Sequence, residues 1–260
     1  MYFYIYDSFL TEKKYVKTIS KIETRLASLD IAGKKYQLTI LRSVKEITDD
    51  ILTKESPTIV VIGGDQTFCR VVLAAAGTSA VLGFIPTEQD SLFARILGLP
   101  VNEYACDVIS SRRIEGINTG RINNERFFSS VIFDANKVTL RADDKYEIVP
   151  QKVKSVKVIN LDMLCFDRIF SEPDWPRLAS NPKDGHLEVL MGSPEMKFLF
   201  FKKKEKRDSL FFVKQLEVKS KKSDQEVLLR VDRNGTVKTP AVIRTARDKV
   251  NLIVGKDRIV

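Results

Sequence analysis

A pair of glycines between an apolar run and a helical stretch is the part of this 260-residue chain best suited to hold an anion. The segment reads Ile62-Gly63-Gly64-Asp65-Gln66-Thr67. Glycine lets backbone N–H groups come close to a phosphate and tolerates positive φ. The helix start that follows offers free N–H groups and the positive end of its dipole. Asp65 has the chemistry to orient a magnesium-bound water or a ribose hydroxyl, and Thr67 to donate to a phosphate oxygen. The same residues also suit a tight strand-to-helix turn in which Asp65 or Thr67 caps the helix. A second stretch of similar design runs from Gly83 through Pro86, Glu88, Gln89 and Asp90 to Ser91. It too follows a strand pattern and opens a helix. Both loops then lie at one edge of a sheet, where ligands of α/β proteins collect.

The elements that must position these loops can be read from periodicity. Phe3 to Tyr6 is a short strand. Tyr15, Ile19, Ile22, Leu26 and Leu29 recur at helical spacing and mark one buried helix face. A strand over Tyr36–Leu41 and a short helix over Val44–Leu52 follow. Thr58-Ile59-Val60-Val61-Ile62 is nearly all β-branched, as a strand buried on both faces requires. A helix over Phe68–Ala76, a strand over Ala80–Ile85 and a helix from Asp90 or Ser91 to Leu97 complete the alternation. After Pro100 the text becomes strand-rich. Strand candidates are Arg126–Phe133, Lys137–Arg141, Ser155–Leu164, His186–Met191, Met196–Phe201 and Leu210–Val218. Val227, Leu229 and Val231 alternate with polar residues or Leu228, and Val250, Leu252 and Val254 do the same. The fold class is therefore an α/β N-terminal domain, with a parallel sheet and helices on both faces, followed by an antiparallel all-β sandwich. The domains are 1–100 and 101–260, with the extreme C-terminus free to return to the first. A cleft between two such domains is a common ligand site.

Composition narrows the function classes. Hydrophobic residues make up 43% of the chain and charged residues 30%, which suits a globular core and excludes a disordered chain. No apolar run reaches the roughly 20 residues of a membrane helix. Met1-Tyr2-Phe3-Tyr4-Ile5-Tyr6-Asp7 has no basic stretch before an apolar one, so the chain reads as cytoplasmic. Three scattered cysteines (Cys69, Cys106, Cys165) speak against a disulfide framework or structural zinc. A lone histidine, His186, excludes histidine-rich metal sites, and its place at a strand start is that of a structural residue. The 43 basic against 34 acidic residues give +9, an attraction to anions. The aromatics sit in core-like strand patterns and no recognition motif appears, so nucleic acid is not the expected partner.

The two loops together resemble the diacylglycerol kinase superfamily, which includes sphingosine kinases and, more remotely, NAD kinases. Gly63-Gly64-Asp65-Gln66-Thr67 is similar to its Gly-Gly-Asp-Gly-Thr loop. Leu82-Gly83-Phe84-Ile85-Pro86 and Phe93-Ala94-Arg95-Ile96-Leu97-Gly98 are similar, without a gap, to its Gly-x-x-Pro-x-Gly-Thr-x-Asn-Asp-Phe-Ala-Arg stretch. Fainter likenesses follow in Gly120–Phe128, in Asn181–Val189 and in Val231-Asp232-Arg233-Asn234-Gly235. The resemblance implies an ATP-dependent lipid kinase that moves a γ-phosphate to a lipid hydroxyl with Mg2+. Its residues would be Gly63, Gly64, Asp65, Gln66, Thr67, Gln89 and Arg95 for the nucleotide, Asp65 and Asp184 for the metal, and Asp184 and Asp232 for hydroxyl activation. It further implies peripheral contact with an anionic membrane at the inner membrane face, and is compatible with a homodimer.

This chain departs from the family text at several points. Gln66 replaces a glycine, and would be strained if that position needed positive φ. Glu88-Gln89 replaces Gly-Thr, and Ser91-Leu92 replaces Asn-Asp. The family's Asn-Pro-x-Ser-Gly loop gives way to Tyr6-Asp7-Ser8-Phe9. These changes carry an alternative: a catalytically impaired, nucleotide- or lipid-binding pseudokinase of the same fold. The run Lys202–Arg207, with Lys219, Lys221 and Lys222, fits either a hairpin tip on anionic headgroups or a solvated turn. Trp175 fits a membrane-interface residue or a loop anchor.

Overall fold

The run of β-branched residues at 58–62 forms the middle of a parallel sheet, and every residue of that strand is buried. The structure is a computed structural model that describes residues 1–40, 42–150, 153–162, 180–192, 209–222, 224–232 and 235–259. The chain divides into two compact units, Met1–Ile117 with Asp248–Val260, and Asn118–Arg247.

The first unit runs β1 (Tyr2–Tyr6), α1 (Val16–Ser28), β2 (Lys34–Gln37), α2 (Val44–Leu52), β3 (Thr58–Gly63), α3 (Asp65–Ala75), β4 (Val81–Pro86), α4 (Leu92–Leu97) and α5 (Ala105–Ser111). Its strands lie in the order β2-β1-β3-β4, all parallel. Strand alternation divides the side chains between two faces. On one, Tyr4, Tyr6, Val60, Ile62 and Ile85 pack with Ile22 and Leu26 of α1 and Cys106 and Ile109 of α5. On the other, Phe68 of α3 stacks on Phe84 of β4 at 4.5 Å and meets Phe93 of α4 edge-on at 5.6 Å. Helices thus cover both faces, as the alternation of elements requires. A capping box starts α2: the Ser43 hydroxyl accepts from Glu46 N–H at 3.2 Å, and the Glu46 carboxylate accepts from Ser43 N–H at 2.8 Å.

Helix α5 stands where the sequence reads as strand-rich. Gly83 makes room for it: a Cβ there would lie 2.7 Å from Ile109 Cδ1. The unit is completed by the far end of a strand from Ala241 to Ile253, whose Asn251 and Leu252 pair in parallel with Val81 and Leu82. Beyond it, Gly255 N–H donates to Leu97 O at 2.8 Å and Ile259 N–H to Ile96 O at 2.9 Å.

The second unit holds the later part of β5 (Ile114–Ile122), then β6 (Glu125–Phe127), β7 (Ser130–Asp134), β8 (Val138–Ala142), β9 (Tyr146–Ile148), β10 (Ser155–Ile159), β11 (Leu187–Gly192), β12 (Ser209–Val213), β13 (Gln215–Ser220), β14 (Leu228–Val231), β15 (Gly235–Lys238) and the first part of β16 (Ala241–Ile253). One sheet has the antiparallel order β12-β11-β10-β7-β14-β15. In the other, β13 pairs antiparallel with β16 and with β8, and β8 with β9. Val131, Val158 and Val189 of the first and Leu140, Leu216 and Ile243 of the second share one core, which makes the unit a sandwich. Gly120 in β5 is needed because the Phe127 ring lies over it, 2.1 Å from where a Cβ would stand. Among the described residues no helix is long and apolar enough to cross a membrane.

Candidate functional site

Strand β1 is followed directly by Asp7, a carboxylate only 8% exposed. Its N–H donates to Ile62 O at 2.9 Å, its Oδ1 accepts from Ser8 N–H at 2.7 Å and its Oδ2 accepts from Gly64 N–H at 3.3 Å. Gly63 sits at φ +151, and a Cβ on it would lie 2.4 Å from Asp7 Cβ. The first glycine of the pair is thus demanded by Asp7. From the other side, Thr87 N–H donates to Gly63 O at 3.0 Å. The turn is fixed by both neighbouring strand ends.

Gly64 is the N-cap of α3, so Asp65, Gln66 and Thr67 form its first turn. The helix begins three residues before the Phe68 expected from the sequence. Gln66 is exposed and helical, not among the positive-φ residues, so the strain expected of a non-glycine there does not arise. Thr67 is buried. Asp65 Oδ2 accepts from Leu92 N–H at 2.7 Å, and its Oδ1 accepts from the Ser91 hydroxyl at 2.5 Å. The Ser91 oxygen in turn accepts from Ala94 N–H at 3.0 Å and caps α4. Asp65 therefore fastens the second loop to the first. Asp65→Ala leaves Leu92 N–H without its charged acceptor and should cost about 2 kcal/mol in chemical denaturation. Asp65→Asn, which keeps one acceptor, should cost less.

Glu88 covers the buried Gly64: a Cβ on Gly64 would lie 3.2 Å from Glu88 Oε2. Gln89 and Arg95 are exposed, Gln89 in the turn before α4 and Arg95 on the helix. The structure thus brings Gly63, Gly64, Asp65, Gln66, Thr67 and Gln89 to the C-terminal ends of β3 and β4 and the starts of α3 and α4, and places Arg95 in the last turn of α4. Burial pushes the Cys106 thiol up to about 12, which leaves it protonated at neutral pH.

Asp184 and Asp232 belong to the second unit. Asp232 sits at φ +46, and its carboxylate accepts from Phe128 N–H at 2.7 Å, Ser129 N–H at 2.7 Å and Ser130 N–H at 3.1 Å. It organises the backbone at 128–130. Asp184 is exposed, and its Oδ1 accepts from His186 N–H at 2.8 Å in a side-chain turn. Among the described residues no group of three or more His, Cys, Asp and Glu side chains is placed to hold a metal ion. Lys202–Arg207, Trp175, Cys165 and the strand candidate Met196–Phe201 lie outside the described residues.

Two residues escaped the sequence reading. Asp7 stands in the sequence only as part of Tyr6-Asp7-Ser8-Phe9, where a family loop is replaced, and nothing there marks it as the partner of the glycines. Glu188 is only 7% exposed, accepts from Asn181 N–H at 3.3 Å through Oε1, and has no hydrogen-bond partner at Oε2 among the described residues. Its signal was a charged residue inside the alternating pattern Leu187, Val189, Met191.

Residues 2–122 match the family model of the diacylglycerol kinase catalytic domain. A diacylglycerol kinase structure from Bacillus anthracis str. Sterne superposes with a TM-score of 0.75 at 18% identity, covering 98% of this chain and 97% of that one. A second structure from that organism gives 0.77 at 16% identity, over 98% and 97%. Yeast NADH kinase, in complex with NADH, gives 0.58 at 10% identity, over 99% of this chain and 84% of that one. At these identities the likeness is one of fold, and it extends over both units. No curated protein sequence matches the chain.

Proposed function

We propose that this chain, with a diacylglycerol kinase catalytic domain over residues 2–122, is an ATP-dependent lipid kinase that transfers the γ-phosphate to a lipid hydroxyl. The observation that carries the reading is the Gly63-Gly64 turn. It opens onto the N-terminus of an 11-residue helix at the C-terminal edge of a parallel sheet. The backbone at Gly64, Gln66 and Thr67 faces the phosphates in this reading. Arg95 and Gln89, both exposed on the second loop and its helix, reach the nucleotide from the side. Asp65 is a positioning residue, because its oxygens hold Ser91 and Leu92. Asp184 is the second unit's exposed carboxylate for the acceptor hydroxyl, and Asp232 acts through the turn it organises. Magnesium, which supplies charge neutralisation on the phosphates, arrives with the nucleotide rather than in a carboxylate cluster of the described chain. The acceptor is met at a bilayer surface, to which a net charge of +9 lends attraction when the lipids are anionic.

A second reading, a catalytically impaired nucleotide- or lipid-binding pseudokinase, is favoured by one observation: the Glu88 carboxylate beside Gly64. Calorimetry with MgATP, followed by transfer of labelled phosphate to a panel of mono- and diacylglycerols and sphingoid bases in vesicles, separates the two. Binding with transfer is the expected result. Binding without transfer selects the second reading, and a folded protein that binds no nucleotide overturns both.

A further inference from the structure

We propose that Glu88 is an internal competitor for phosphate at the Gly63-Gly64 turn, and that its charge, not Gln66, sets how tightly this chain holds a nucleotide. The proposal rests on the nucleotide site described above and deepens it. Gly64 has no side chain, but it is buried, and a ligand's phosphate reaches its backbone only if the face that a side chain would have taken is cleared. That face is roofed by the chain itself: a Cβ on Gly64 would stand 3.2 Å from Glu88 Oε2, 3.5 Å from Glu88 Cδ and 3.6 Å from Phe9 Cε1. A phosphate oxygen approaching Gly64 would meet a carboxylate already there. From beneath, the Gly64 N–H that a phosphate would use donates to Asp7 Oδ2 at 3.3 Å. Two carboxylates of the chain therefore flank the residue where an anionic ligand is to bind.

The neighbouring hydroxyl points the same way. Thr87 Oγ1, one residue before Glu88, is buried and has no hydrogen-bond partner among the described residues, although its own N–H is tied to Gly63 O. A buried hydroxyl without a partner is unfavourable, and a phosphate oxygen at the turn is an acceptor of the kind it lacks. Glu88 itself is exposed and reaches Gly64 by the far end of its side chain. Rotation about its side-chain torsions clears the face without moving the backbone. Gln66, by contrast, points to solvent from the first turn of α3 and roofs nothing.

The test is calorimetry of wild type and Glu88→Gln with MgATP, with inorganic triphosphate and with adenosine, at low and high salt. Glutamine keeps the size and removes the charge. Glu88→Gln should bind MgATP and triphosphate about tenfold more tightly at low salt, with the gap narrowing at high salt and adenosine affinity unchanged. Binding by the variant where the wild type shows none supports the proposal in its strongest form. Equal MgATP affinities in two proteins that both bind overturn it and leave the nucleotide site standing. If neither protein binds MgATP or triphosphate, the nucleotide site and the proposal fall together. Glu88→Ala serves as a second neutral variant, expected to behave as glutamine does.

Discussion

Replacing Asp232 by alanine is expected to destabilise the second unit by about 4 kcal/mol, close to the whole stability of many domains. Three backbone N–H groups, at Phe128, Ser129 and Ser130, lose a charged acceptor at once. Phe128 and Ser130 are buried, so water cannot readily replace the carboxylate. Position 232 also has φ +46, a backbone that Asp and Asn tolerate better than Ala. Asp232→Asn should therefore cost only about 1–2 kcal/mol, since one side-chain oxygen still accepts. Urea unfolding followed by a probe in the second unit measures both. Equal stability of wild type and Asp232→Ala would mean that the turn at 128–130 stands without its carboxylate. The residue would then be better assigned to chemistry than to structure.

The second large effect is a loss of stability with rising pH, traced to Glu188. Its pKa is pushed up from the ordinary 4.5 to about 7, chiefly by burial, with the Asn181 N–H opposing the rise and the Asp184 charge adding to it. Below about pH 4.5 the carboxyl is protonated in both folded and unfolded chain. Between 4.5 and 7 the unfolded chain releases a proton that the folded one keeps, so stability falls as pH rises. Above about 7 the folded form ionises too and the loss levels off, having reached about 3 kcal/mol. Glu188→Gln removes the titrating group and keeps an acceptor for Asn181 N–H. The variant should be more stable than wild type at pH 8 and flatter from pH 5 to 8 in thermal melts. Parallel pH profiles for the two proteins would show that Glu188 is not the source.

Strong periodicity made much of the fold legible beforehand. Val44–Leu52 forms a helix over its expected span because Ser43 and Glu46 close a capping box, a local signal needing no tertiary help. The β-branched run at 58–62 and the strand ending at Pro86 also lie where the text puts them. Helix α5 was not legible: Ala105 to Ser111 offers one short turn of apolar residues, and its helical state depends on docking over Gly83. The strand at Tyr36 is shorter than the apolar run suggests, ending at Gln37. In the site, the glycine pair was visible as a motif, but its reason was not. Asp7, far away in the sequence, is what compels Gly63, and such a contact exists only once β1 lies beside β3. Asp65 and Glu88 likewise show their partners only when the two loops meet.

The chain leaves the first unit at Ile117 and re-enters it at Asp248, to lay Asn251 and Leu252 beside β4. A ribosome delivers this protein in the order of its sequence, so the sandwich, contiguous from Asn118 to Arg247, is fully synthesised before the sheet of the unit begun earlier can close. Until then β4 carries an open edge of apolar strand, the kind of surface on which nascent chains pair wrongly with one another. Expression at low temperature or slow initiation should favour this chain more than a protein whose domains follow one another in series.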